Sequence, residues 1–203
     1  MRKTKKPPKP NEVYELPTKI VVRDQVVILG MDPGSRNFGI ALVGTSNGKI
    51  KVYANAVLMR PVNDLVSFGM SSDAFMKEIK AWIDLGNPKG VVAERFQTRG
   101  NGGPLIEQVS AMLGLIRGRY PKLPMKLTIA SAWKNKFNRR FNMDLKEIYP
   151  TTRVQPHQLD ATLIGIFGLE AGLGKELSFT IEDVIKQCEA TSLVKLKNLK
   201  IQK

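Results

Sequence analysis

The chain is 203 residues long, 42% hydrophobic, and carries 32 Lys and Arg against 18 Asp and Glu, a formal net charge of +14. That length suits one domain with a full core, and the charge predicts an acidic polymer as partner; an anionic membrane is the weaker reading because no convincing basic amphipathic helix stands out. The single cysteine, Cys188, excludes an internal disulfide and a cysteine-based zinc centre, and no apolar run is long enough to span a bilayer, so the chain reads as soluble and intracellular.

In chain order, residues 1–24 open as MRKTKKPPKP and read as a basic, flexible arm, either a solvated tail or a phosphate-tracking segment, with one edge strand expected at Lys19 to Val22. Residues 25–174 read as the main domain. Its organising stretch is VVILGMDPGSRNFGIALV, Val26 to Val43. An apolar strand, Val26 to Met31, ends on Asp32, turns on Pro33 and Gly34, and resumes as a second strand at Phe38. Asn47-Gly48 then predicts a hairpin into a third strand, Lys49 to Leu58, so three antiparallel strands open the domain. Gly44 to Gly48 matches a G-x-S-x-G nucleophile elbow formally, but a strand follows where the elbow needs a helix, and that reading is discarded.

Ser71 to Leu85 has the spacing of an amphipathic helix, capped by Ser71 or Ser72 and stopped by Gly86. GVVAE, Gly90 to Glu94, follows as a strand apolar on both faces, which predicts a parallel neighbour and a second acid at a strand's carboxyl end, beside Asp32. A glycine-rich loop holds Arg95, Phe96 and Arg99. A second helix is expected over Pro104 to Arg119 and a fifth strand over Met125 to Ala130. Ser131 to Pro150 interleaves Trp133, Phe137, Phe141 and Tyr149 with Lys134, Lys136, Arg139, Arg140 and Lys146, which favours aromatics turned inward and cations outward toward nucleic acid. The last helix of the domain, Pro156 to Leu173, carries His157 and Asp160 on one face. An Asp in so apolar a helix needs a partner, either a divalent cation or an Arg or helix cap. Residues 175–203 read as a short helix, opened by Thr180 and Asp183, and a basic tail; Cys188 is expected half-buried in that helix.

Three motifs, DPGSRNFGIA, VVAE and HQLDA, stand in that order, and together they resemble the RuvC-type Holliday junction resolvases of the RNase H-like superfamily, over roughly Val26 to Leu173. The resemblance implies an α/β fold of RNase H type, a central five-stranded mixed sheet flanked by helices. It implies a metal-dependent endodeoxyribonuclease, working as a homodimer on branched DNA, that makes paired nicks in a four-way junction and leaves 5′ phosphates. Asp32, Glu94 and Asp160, with His157 beside them, would hold two Mg²⁺ or Mn²⁺ ions about 3.5–4 Å apart, and oxygen ligands suit those ions better than zinc. Phe96 would be a wedge that stacks on an opened base pair, or alternatively a core plug. Arg36, Arg95, Arg99, Lys134 and Lys136 are the candidate DNA contacts. A related nuclease for flaps, forks or structured RNA would keep the same acids, and a branched-DNA binder without chemistry would have lost one.

Overall fold

The structure is a computed structural model that describes residues 26–34, 37–59, 65–95 and 103–192; within these, the side chains of 59, 65–71, 104 and 105 are not described. The expected edge strand at Lys19 to Val22 and the basic tail lie outside the described residues. No helix among the described residues is long and apolar enough to cross a membrane.

Strands β1 (Val27–Pro33), β2 (Asn37–Ser46) and β3 (Lys49–Met59) form an antiparallel meander. Asn47 (φ 52°) and Gly48 (φ 76°) both sit in the left-handed region between β2 and β3, the backbone that a two-residue hairpin needs and that this pair of residue types supplies. Helix α1 (Leu65–Gly86) leads to β4 (Gly90–Arg95), and α2 (Pro104–Arg119) leads to β5 (Met125–Ile129). Both β4 and β5 join in parallel, giving a five-stranded mixed sheet in the order β3-β2-β1-β4-β5. The expected RNase H-like sheet is present. Helix α1 begins six residues before the expected capping serines and runs through them, because a capping residue type does not by itself stop a helix that is packed on a sheet.

Side chains alternate along each strand and divide the core into two layers. Leu29 and Met31 of β1, with Ile40 and Leu42 of β2, pack on α1 and α2 through Phe75, Ile79, Trp82, Met112 and Ile116. Ile28, Ala41, Val43 and Val92 face the opposite layer, built by α3 (Ala130–Phe141), α4 (Leu145–Ile148), α5 (Pro156–Leu173) and α6 (Ile181–Thr191). A 3₁₀ turn, Tyr149–Thr151, links α4 to the approach to α5. By parity Gly30 and Asp32 share the α5 side with Ile28, and Glu94 shares it with Val92.

Helix α5 lies closer to the sheet than side chains normally permit. A Cβ at Gly30 would stand 2.1 Å from the Ala161 carbonyl oxygen, and one at Gly39 would stand 2.0 Å from that of His157. The glycines therefore let helix backbone press on strand backbone, and the segment of α5 so held carries both His157 and Asp160.

Helix α6 belongs to this core, although the sequence places a boundary at 174. Leu177, Ile181, Val184 and Cys188 are buried with the α5 layer. Cys188 is fully buried (0% exposed), not half-buried as expected; its Sγ lies 3.3 Å from Thr162 Oγ1, and burial pushes its thiol up to about 12. On the edge strand β3, the Gln187 amide accepts from Val52 N at 2.9 Å and donates to the Ile50 carbonyl at 3.3 Å, while Asn55 Nδ2 donates to the Cys188 carbonyl and to Thr191 Oγ1.

The α5 contact predicts that Gly30→Ala destabilises the fold by about 3 kcal/mol, since backbone atoms and not a flexible side chain obstruct the new methyl. Gly114→Ala, on an exposed helical face with no atom within 4 Å of the added carbon, is the control. It should stabilise by about 0.5–1 kcal/mol. Chemical denaturation of both variants checks the pair.

Candidate metal centre and nucleic-acid face

Three elements bring the acids together. Strand β1 carries Asp32 near its end and the parallel neighbour β4 carries Glu94, one position beyond the Met31–Ala93 pair. Both therefore project from the same edge and the same face of the sheet. Helix α5 lies across that face and supplies His157 from its first turn and Asp160 one turn later. Gln155 caps the helix: its side chain accepts from the Gln158 backbone N–H, and the Gln158 side chain accepts from the Gln155 N–H at 3.1 Å. Pro156 occupies the first helical turn, where its missing N–H costs nothing.

Each carboxylate is held by a donor of the chain itself. His157 Nδ1 lies 2.5 Å from Asp32 Oδ2, so the histidine contacts the first acid directly besides sharing a face with the third. Trp133, fully buried in the first turn of α3, donates from Nε1 to Glu94 Oε2 at 2.7 Å. Asp160 has both oxygens engaged, Oδ1 by the Tyr149 hydroxyl at 2.5 Å and Oδ2 by the Lys134 ammonium at 3.0 Å. The partner expected for this buried acid if no cation holds it was an arginine or a helix cap. The structure instead places a lysine and a phenol there, both delivered by the segment between β5 and α5.

The electrostatics follow from burying three like charges together. Burial raises the Glu94 carboxyl above its ordinary range; the Trp133 hydrogen bond opposes this, and repulsion from Asp32 and Asp160 adds to it. Asp160 is likewise raised by burial first, against the pull of Lys134, with Asp32 repelling it. The hydrogen bond to Asp32 raises His157 and so favours imidazolium, overcoming the opposing effect of burial. Burial also raises the Tyr149 phenol, followed by the charge of Asp160, so it stays a neutral donor.

Among the described residues, no group of three or more His, Cys, Asp or Glu side chains is arranged so that it could hold a metal ion as it stands. The residue types nevertheless suit a hard divalent cation: three carboxylates from three elements, Asp32 repelling both of the others, with the His157 imidazole against Asp32 and no sulfur. A cation would remove the repulsion that raises Glu94 and Asp160.

The sequence candidates divide by position. Asp32, Glu94, His157 and Asp160 come together, and Lys134 joins them. Arg95 is exposed at the end of β4, next to Glu94 in sequence and by parity on the other face of the sheet. Lys136 is directed elsewhere: its Nζ pairs with Glu170 at 2.9 Å and Glu176 at 3.4 Å. Arg36, Phe96 and Arg99 lie outside the described residues. The aromatics of α3 turn inward as expected, Trp133 and Phe137 both being fully buried. Trp133 and Tyr149 were legible only as members of an aromatic-basic segment. A tryptophan placed just after a strand that neighbours the Glu94 strand is the one signal that pointed to its contact.

The Lys136 arm belongs to a second charged cluster. Glu170, 2% exposed, accepts from Arg140 at 2.8 and 3.3 Å and from the Leu177 backbone N–H at 2.8 Å. The Arg140 guanidinium lies over the Phe137 and Phe179 rings, 5.4 and 5.1 Å from their centroids. Burial alone would raise the Glu170 carboxyl, but the hydrogen bonds from Arg140, Leu177 and Lys136 win and hold it below the ordinary glutamate range.

No family model matches the chain, and no curated protein matches it in sequence. Solved structures do match. The RuvC of T. thermophilus in complex with a Holliday junction substrate is 17% identical, with a TM-score of 0.53 over 76% of this chain and 99% of that one. A second Thermus thermophilus RuvC structure gives 17% and 0.51 over 76% and 100%. The yeast mitochondrial Holliday junction resolvase Ydc2 aligns at 15% identity with a TM-score of 0.42, too loosely to weigh. At these identities the likeness establishes the fold, which is that of RuvC within the RNase H-like class.

Glu170→Gln should cost about 3 kcal/mol at neutral pH, because it leaves Arg140 and Lys136 without their buried counter-charge. The folded carboxyl titrates below the unfolded one, so its stabilisation is full above the ordinary glutamate range and is lost as pH falls through the folded value. The gap between wild type and variant in denaturant titrations should therefore close as pH is lowered through that window.

Proposed function

We propose that this chain is a metal-dependent endodeoxyribonuclease that resolves four-way DNA junctions by paired nicking. The observation that carries the reading is the convergence of Asp32, Glu94 and Asp160 from β1, β4 and α5 on one sheet edge, close enough that Asp32 repels both of the others and Asp160 repels Glu94. The RuvC-like fold supports it, since a protein of that fold has been captured on a Holliday junction.

Asp32, Glu94 and Asp160 would hold Mg²⁺ or Mn²⁺, with His157 as a further ligand or as the group that orients water. When bound, such ions supply Lewis-acid polarisation of the phosphate and lower the pKa of the attacking water. The rest of the chemistry belongs to the chain. His157, biased toward imidazolium by Asp32, can place a proton near the departing 3′ oxygen or fix the phosphate. Lys134, half-buried against Asp160, would offer its positive charge to a non-bridging phosphate oxygen. Arg95 and the net charge of +14 draw the backbone of the substrate toward this edge, so binding should weaken as salt rises.

A four-way junction has two-fold symmetry, and two copies of this chain related by the same symmetry would present two centres to opposed strands. The homodimer is part of the proposal on that ground.

Asp32→Asn should still bind a labelled synthetic junction yet cut it at least about 10³-fold more slowly, several kcal/mol of lost transition-state stabilisation. Wild type with Mg²⁺ or Mn²⁺ should give symmetric paired nicks ending in 5′ phosphate. Preferential cutting of flaps or structured RNA in the same assay would move the activity to another nuclease of this fold. Binding without cutting by both proteins would make the chain a structural DNA binder.

A further inference from the structure

Among the described residues four donors touch the acidic centre, and they are of two kinds. His157 and Lys134 bring charge as well as a hydrogen bond, so they partly cancel the field that would attract a cation. Trp133 and Tyr149 bring none. The indole N–H can only donate, and the phenol is held neutral, so both fix a carboxylate in place while leaving its full negative charge for a ligand on the other side. Burial matters equally. Trp133 is completely enclosed, with Phe137 one helical turn further along α3 also enclosed. Tyr149 sits in the 3₁₀ turn that follows α4, whose residues Leu145 and Ile148 are buried. The enclosed Trp133 ring cannot follow a carboxylate that rotates, so Glu94 must conform to it; Tyr149 is partly buried against the same layer and holds Asp160 through its hydroxyl.

We propose that Trp133 and Tyr149 are positioning residues of the metal centre, fixing the rotamers of Glu94 and Asp160 through neutral hydrogen bonds so that their remaining lone pairs converge with Asp32. This rests on the nuclease reading of the same site. The alternative is that the two acids merely satisfy buried ring donors, in which case deleting the donors would change folding stability and leave cation binding as it was.

Phe substitutions remove each donor and keep an aromatic ring. Calorimetric titration of Mn²⁺ into the full chain, without DNA, reads the effect directly. Trp133→Phe and Tyr149→Phe should each weaken Mn²⁺ binding about 10–100-fold, the loss typical when an outer-shell partner of a ligand is removed; the metal-free Tm of Tyr149→Phe should stay close to wild type, while Trp133→Phe, which also empties core volume, should lower it. Lys134→Gln removes a cation from Asp160 and should bind Mn²⁺ at least as tightly as wild type, the opposite direction. In the wild type, one of the two tryptophan indole N–H NMR signals should move when Mg²⁺ is added, and the other, from Trp82 in the opposite layer, should stay.

Unchanged Mn²⁺ affinity in folded Tyr149→Phe, or equal weakening in all three variants, would overturn the positioning role. Should Trp133→Phe not fold, Tyr149→Phe and the wild-type indole signal decide alone. Wild-type protein that binds no Mn²⁺ would overturn this inference and the nuclease reading together, whereas wild type that binds and cuts alongside unaffected Phe variants would overturn this inference only.

Discussion

The close contact between α5 and the sheet is the constraint on which the rest depends. Gly30 and Gly39 remove the side chains that would hold the helix at ordinary distance, and the carbonyls of Ala161 and His157 occupy the space. Because α5 is seated by backbone on backbone, its first turn cannot slide along β1 without a collision. The His157–Asp32 contact and the delivery of Asp160 to the same edge follow from that seating. A helix held away by larger residues could carry the same histidine and aspartate and still fail to assemble the site.

The centre so assembled is electrostatically unfavourable by itself. Three carboxylates are drawn from water into one half-buried edge, and burial with mutual repulsion raises two of them. The chain offsets this with donors from the opposite side of the layer, chiefly the α3-to-α5 segment. Helix α3 serves two clusters: Trp133 and Lys134 near its start hold the acids, while Lys136 and Arg140 further along anchor Glu170 and the lead into α6. Folding stability and site geometry are thus coupled through one twelve-residue helix.

The sheet and the three acids were legible in the sequence because their signals are local. An apolar strand that ends on an acid, an Asn-Gly hairpin, and a His three residues before an Asp in an apolar helix each declare themselves within a short window. What escaped depends on distant partners. Nothing near Lys136 announces that Glu170 will claim it, and nothing near Tyr149 announces Asp160, since those pairings arise only once α3 and α5 are packed together. Thr180 and Asp183 correctly marked the start of α6, where the Thr180 hydroxyl accepts from the Asp183 N–H. The burial of Cys188 was not legible, because it depends on which face of that helix meets β3.

The pairing of Gln187 with β3 has a consequence for association. Its amide accepts from one backbone N–H and donates to one backbone carbonyl of an edge strand, the same two bonds a neighbouring strand would make there. Among the described residues, that edge is therefore partly occupied by side chains of the same molecule. Strand-to-strand growth, the route by which sheets extend into other copies or into fibrils, is obstructed on that side; among the described residues no strand pairs with the outer edge of β5, where Lys126 and Leu127 are exposed. The charged neighbour of that leucine is a common deterrent to such growth, so the sheet is guarded at one side by structure and at the other by charge.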